Sequence, residues 1–185
     1  MALLAEALVE EWLNRNRFFT MRGIKVGVDE IDLLAICKTD SGLQARHYEV
    51  QVSTNPISYI SKLTAEQSKE LGKARGSAFS REDSVLEKSV KEWVEKKFTS
   101  KKKIQVRDHL CPGVKWKYYF VHGKVRHQEE LDLIKQQGIE TIPFEEVLKE
   151  LCGNKESAFK GGSGSDMVEI LSILRDHDKK AILGT

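Results

Sequence analysis

Two carboxylates, Asp32 and Glu49, stand where strand geometry could turn them to chemistry. Glu49 belongs to His47-Tyr48-Glu49-Val50-Gln51-Val52, in which polar and apolar residues alternate. Side chains point alternately to the two faces of a strand, so Glu49 shares a face with Gln51 while Tyr48, Val50 and Val52 take the other. A carboxylate set into such a strand is costly to bury unless it is paired or bound to metal. Asp32 lies in Asp29-Glu30-Ile31-Asp32-Leu33-Leu34-Ala35-Ile36, projecting opposite to Leu33. If the two stretches pair as a hairpin, both carboxylates converge on one hard cation. Mg2+ prefers oxygen ligands and retains waters, one of which can become a nucleophile.

The elements that must position these residues are legible in outline. Leu4, Leu8 and Trp12 make one stripe of a helix from Leu3 to Leu13, with Glu6 and Glu10 sharing another face. Phe18 to Met21 reads as a strand, followed by a turn bracketed by Gly23 and Gly27. Strands from Asp29 to Ile36 and from His47 to Ser53 flank the turn Thr39-Asp40-Ser41-Gly42 and form a hairpin. After Pro56 a helix is expected through Ile57, Ile60 and Leu63, continuing towards Leu71. Ser80 and Asp83 resemble a capping box that opens a helix with Leu86, Val90, Trp93, Val94 and Phe98 inward. A strand at Tyr118–Val121, a helix at Glu129–Gln137, a strand at Ile139–Ile142 and a helix at Phe144–Leu151 complete a domain assigned to 1–155. Gly161-Gly162-Ser163-Gly164-Ser165 marks a flexible linker, 156–165, before a C-terminal amphipathic helix within 166–185 carrying Met167, Ile170, Leu171 and Leu174.

Composition sets bounds on function. A hydrophobic fraction of 40% and a charged fraction of 31% suit a globular domain. No apolar run approaches the roughly 20 residues of a membrane span, and no secretory leader is expected from the amino terminus. Cys37, Cys111 and Cys152 form no CxxC pair, which argues against a zinc knuckle and for a reduced, cytoplasmic compartment. The net charge of +2 is too small to imply nucleic-acid binding alone. Its distribution says more, because Lys96, Lys97, Lys101, Lys102, Lys103, Arg107, Lys115 and Lys117 crowd one stretch. Such a stripe suits a phosphate backbone, and it equally suits a solvated helix end and loop.

Glu30-Ile31-Asp32-Leu33 on one strand, Glu49-Val50-Gln51 about 17 residues later and Glu6 on a preceding helix resemble the PD-(D/E)xK nucleases. The flavour is that of Holliday-junction resolvases and of small RecB-like or Mrr-like endonuclease domains. The order of elements agrees over roughly Leu3 to Leu151, whereas the motifs sit in the first third. The resemblance implies an α/β, restriction-endonuclease-like fold with a mixed central β-sheet flanked by helices. It implies a Mg2+-dependent (or Mn2+-dependent) endonuclease that cuts DNA and works as a homodimer. Catalytic roles would fall to Glu6, Asp32, Glu49 and Gln51. The metal would take Asp32, Glu49 and the backbone carbonyl of Val50; separately, the basic stretch offers Lys101, Lys102, Lys103, Lys115 and Lys117 as the residues expected to face DNA. Gln51 occupies the place of the motif lysine, where it can hydrogen-bond the attacking water but brings no charge. Lys25 and Lys62 are the sequence's candidates to supply that charge.

Rival readings stay beside this one. Asp32 also fits a strand cap or an arginine partner, Glu49 and Gln51 an exposed edge of a half-solvated sheet, and Glu6 a helix surface, while His47, on the Glu49 face, fits an aid to the metal or the water and, more simply, an ordinary hydrogen-bonding role. Trp12 and Trp93 read as core, while Trp116, between Lys115 and Lys117, fits either core or a base-stacking site. The fold without the charge at position 51 would make a DNA-binding or scaffold module, and coincidental acids would leave a small-molecule or protein-interaction domain.

Overall fold

Apolar residues on both faces of the central strands dictate a sheet covered on two sides. The computed structural model describes residues 2–153 and 164–173. Strands β1 (Phe19–Val26), β2 (Asp29–Thr39) and β3 (Gly42–Gln51) run antiparallel, and β4 (Trp116–His122) and β5 (Ile139–Pro143) continue parallel to β3. The spatial order β1-β2-β3-β4-β5 gives a mixed five-stranded sheet in an α/β fold. Helix α1 (Ala2–Arg15) lies on one face and α6 (Phe144–Gly153) packs beside it. Their core includes Val9, Leu13, Leu33, Ala35, Tyr48, Val50, Val121 and Val147. On the opposite face, α3 (Asp83–Val94), its π-helical extension (Glu95–Thr99) and α5 (Gln128–Gln136) bury Val90, Phe98, Phe120, Leu131 and Ile134. Helix α4 (Lys101–Leu110) extends this layer over Leu34 and Ala45 through Val106. Trp12 packs edge-on to Tyr48, Trp93 packs against Phe98 and Phe120, and Trp116 is buried, so all three serve the core. No described helix is long and apolar enough to cross a membrane.

Several expected boundaries are corrected. Strand β1 runs through Gly23, and the turn falls at Gly27–Val28. Residues Ile57 to Leu63 are not helical; only α2 (Ala65–Glu70) forms there, capped by a reciprocal Thr64–Gln67 box. The cause lies far along the chain. The wholly buried Glu130 carboxylate accepts Ile60 N and Ser61 N, each at 2.7 Å, and so takes up the amides that a helix would have used. Ser80 and Asp83 make no capping box, because Glu82 is the cap of α3 and its side chain makes no capping bond. Helix α4 is an addition, hidden in sequence within the lysine run.

Beyond α6, residues 165–173 form a helix that lies on α1. Val168 is buried in the α1 core, with Met167 and Leu171 packed against it, while Ile170 stays exposed. Gly164 permits the approach, since a Cβ there would lie 2.6 Å from the Ala7 carbonyl oxygen. Leu174 and most of the expected linker lie outside the described residues.

Candidate active site

Side-chain alternation breaks at Asp32. Leu33 faces the α1 layer, yet Ile31, two residues away, packs with Val26 and Leu34 on the other side. The register places Gly23 opposite Asp32, and Gly23 has φ of +68°, a conformation most side chains resist. The β2–β3 ladder ends at Leu33↔Tyr48, immediately before Asp32 and Glu49. Asp32 Oδ2 takes over the pairing by accepting Val50 N at 2.8 Å. The kink thus turns Asp32 out of the apolar layers and against β3. Burial first, then the charge of Glu49, pushes the Asp32 pKa up to about 6.

Glu49 is only 1% exposed, and both its oxygens are held. Lys97 Nζ donates to Oε2 at 2.6 Å, and Lys103 Nζ donates to Oε1 at 2.7 Å. Lys103 also donates to the Lys97 carbonyl at 2.8 Å, locking the π-helical turn to α4. His47 Nε2 lies 3.1 Å from Oε1, and Arg107 Nη1 lies 2.9 Å from His47 Nδ1. Arginine can only donate, so Nδ1 accepts and the ring proton sits on Nε2, directed at Glu49. Burial, then Arg107 and Lys103, depress the His47 pKa well below its ordinary value, and the ring is neutral. Burial opposes the charge of Lys97, but Glu49 and Asp32 outweigh it and raise its pKa. The lysine therefore stays an ammonium beside two carboxylates.

The remaining candidates fall into place around this pair. Glu6 is buried on α1, and its pKa is raised first by burial and then by Asp32 and Glu30. Gln51, half-buried at the end of β3, lines a cavity together with Lys97. Val50 offers its amide to Asp32 and its side chain to the core. Lys101, Lys102, Lys115 and Lys117 are exposed. Lys103 corrects the expected DNA-facing set: at 1% exposure it lies beneath the sheet and serves Glu49, not solvent. Lys25 pairs with Glu30, and Lys62 lines the cavity, so neither meets Glu49. Lys97, Lys103 and Arg107 are the members that sequence reasoning missed. All three stood in the basic stretch, and the i, i+4 spacing of Lys103 and Arg107 adds that one helix face carries two cations; neither signal points to Glu49.

Among the described residues, no three His, Cys, Asp or Glu side chains form a ready-made metal cluster. The donor chemistry nonetheless fits a divalent ion. Two hard carboxylates converge, one carries a raised pKa that a cation would relieve, and the Lys97 ammonium already holds a cation's place on Glu49 Oε2. A metal there would share that oxygen with Lys97 or take it over.

No protein-family model matches the chain, and no curated protein matches it. Among solved structures it is similar to the crystal structure of a protein of unknown function, AF1548. That likeness has 11% identity and a TM-score of 0.43 and covers 100% of each chain.

Proposed function

We propose that this chain is a metal-dependent DNA endonuclease of the PD-(D/E)xK kind, with a restriction-endonuclease-like arrangement, acting in DNA repair, recombination or restriction. The observation that carries the reading is the convergence of Asp32, Glu49 and Lys97 at the break in the β2–β3 ladder. Asp32 and Glu49, with the Val50 carbonyl, would hold Mg2+ (or Mn2+). The ion would supply an activated water and neutralise phosphate charge. The water oxygen forms a new bond to phosphorus, the P–O3′ bond breaks, and the products carry a 5′-phosphate and a 3′-hydroxyl. Lys97 provides the positive charge that Gln51 lacks and steadies the transition state, while Gln51 hydrogen-bonds the attacking water. Lys103, His47 and Arg107 are positioning residues that fix Glu49. Exposed Lys101, Lys102, Lys115 and Lys117 would meet the phosphate backbone, and two copies would pair so that both strands are cut.

The test is incubation with branched, nicked, linear and single-stranded DNA in Mn2+ or EDTA. Wild type should cut only with metal, and Glu49→Ala and Asp32→Ala should not cut. Absence of metal-dependent cutting by folded wild type on all four substrates ends the proposal. One observation favours a second reading: both Glu49 oxygens are occupied by lysine ammonium groups, as in a structural ion network. A DNA-binding scaffold would bind DNA equally with and without metal, with affinity falling steeply in salt.

A further inference from the structure

A cavity of about 320 Å³ opens beside the carboxylate pair, sharing Gln51 and Lys97 with it. Its other walls are the segment from Ile60 to Lys62, Arg75 and the last turns of α3. Of the cations in its lining, Arg75 is paired with Glu92, the one acid there, at 2.5 Å, Lys96 with Asp29 at 3.6 Å and Lys97 with Glu49, so Lys62 is the one of them whose charge has no acidic partner among the described residues. Its apolar side is Ile60 and the half-buried Trp93, whose ring is braced edge-on by Phe98 and Phe120.

The frame of this cavity is fixed by buried polar bonds. Glu130 pins Ile60 and Ser61, Arg81 donates to the Ser61 carbonyl at 3.0 Å, and Leu63 N donates to the Arg75 carbonyl at 2.9 Å. Arg75 Nε returns a bond to the Leu63 carbonyl at 2.6 Å. Ser61 and Leu63 are buried, so Lys62 between them projects outward on a segment that cannot shift freely.

We infer that this cavity receives one unpaired nucleotide next to the scissile phosphate, so that the substrate is DNA with a single-stranded segment and not continuous duplex. This rests on the endonuclease reading for its scissile phosphate, but not for its binding chemistry. Cations beside an indole select a ligand that is anionic at one end and flat and aromatic at the other. Within a duplex the base faces are stacked on their neighbours and cannot reach a recessed indole; an unpaired nucleotide offers both its base and its phosphate.

The experiment measures fluorescence anisotropy in EDTA, where no cutting occurs, on a blunt duplex and on the same duplex carrying an oligothymidine tail. Wild type should bind the tailed DNA about tenfold more tightly, within the range of one stacked base. Lys62→Glu, at an exposed position, should abolish that preference, read as the ratio of the two affinities so that a general loss of DNA binding does not count. Trp93→Phe should remove most of the tryptophan quenching that the tail produces. Equal affinity for both DNAs in wild type, or a preference that survives Lys62→Glu, overturns the inference. Tail preference without any cutting in Mn2+ would keep the cavity's role and remove the endonuclease; equal binding with metal-dependent cutting would do the reverse.

Discussion

The charge on Asp32 is disfavoured by its surroundings, and that has a sign that can be measured. Its pKa is raised from 3.8 to about 6, so the folded chain holds a proton that the unfolded chain releases. With divalent ions chelated, this residue's contribution to stability should fall as pH rises from about 4 to about 6. Denaturation of wild type and Asp32→Asn across that window checks it, because the difference between the two curves should carry the slope. Added Mn2+ should stabilise wild type more above pH 6 than below it, as the metal needs the ionised carboxylate. Lys97 supports a second prediction at this scale. Lys97→Met should lower single-turnover cutting about 100-fold, the typical cost of one transition-state donor. It should also tighten Mn2+ binding, since no ammonium then competes for Glu49 Oε2. Adding Gln51→Lys to that variant should restore part of the rate, which a purely structural role for Lys97 would not allow.

At the scale of elements, the segment before α2 depends on one distant side chain. Glu130 satisfies Ile60 N, Ser61 N and the Ser61 hydroxyl from inside the fold. Glu130→Ala leaves these donors buried without their acceptor, and the expected loss is about 3 kcal/mol in urea denaturation. Amide exchange at Ile60 and Ser61 should rise more than exchange in β3, which keeps its ladder. Helix α4 carries an inverse peculiarity, because its buried residues Lys103 and Arg107 are cations. It is held inward by charge-assisted bonds to Glu49, Lys97, His47 and Tyr118 where most helices use an apolar stripe.

For the whole molecule, the helix at 165–173 adds a second layer outside α1 through Val168. Ending the chain after Gly153 removes that burial, and Tm should fall by about 5 °C. Light scattering of the shortened chain tests whether this helix also pairs two copies of the chain. A subunit count equal to that of the full chain would leave it a packing element of its own core, and a halved count would make it the dimer element. Exposed Phe19 and Met21 on the edge strand β1 offer a different surface for pairing.

The alternation of residues in 47–52 and the apolar run in 29–36 determined the two strands of the hairpin and the apolar layers, because strand patterning is a local property that each residue carries with it; the turn of Asp32 towards Glu49 came instead from the break in alternation opposite Gly23. The later strands and the helices α3, α5 and α6 were legible for the same reason, through period and turn residues. The partners of the carboxylates were not. Lys97 and Lys103 reach Glu49 from 48 and 54 residues away, and Glu130 reaches Ile60 from 70. In sequence these lysines stand among several neighbours of the same charge, and nothing local separates the one that ends buried on a carboxylate from those left in water. That choice belongs to the packing of α4 and the π-helical turn on the sheet. Only tertiary structure decides which long side chain spans the gap, and burial then makes its single contact matter far more than a surface charge would.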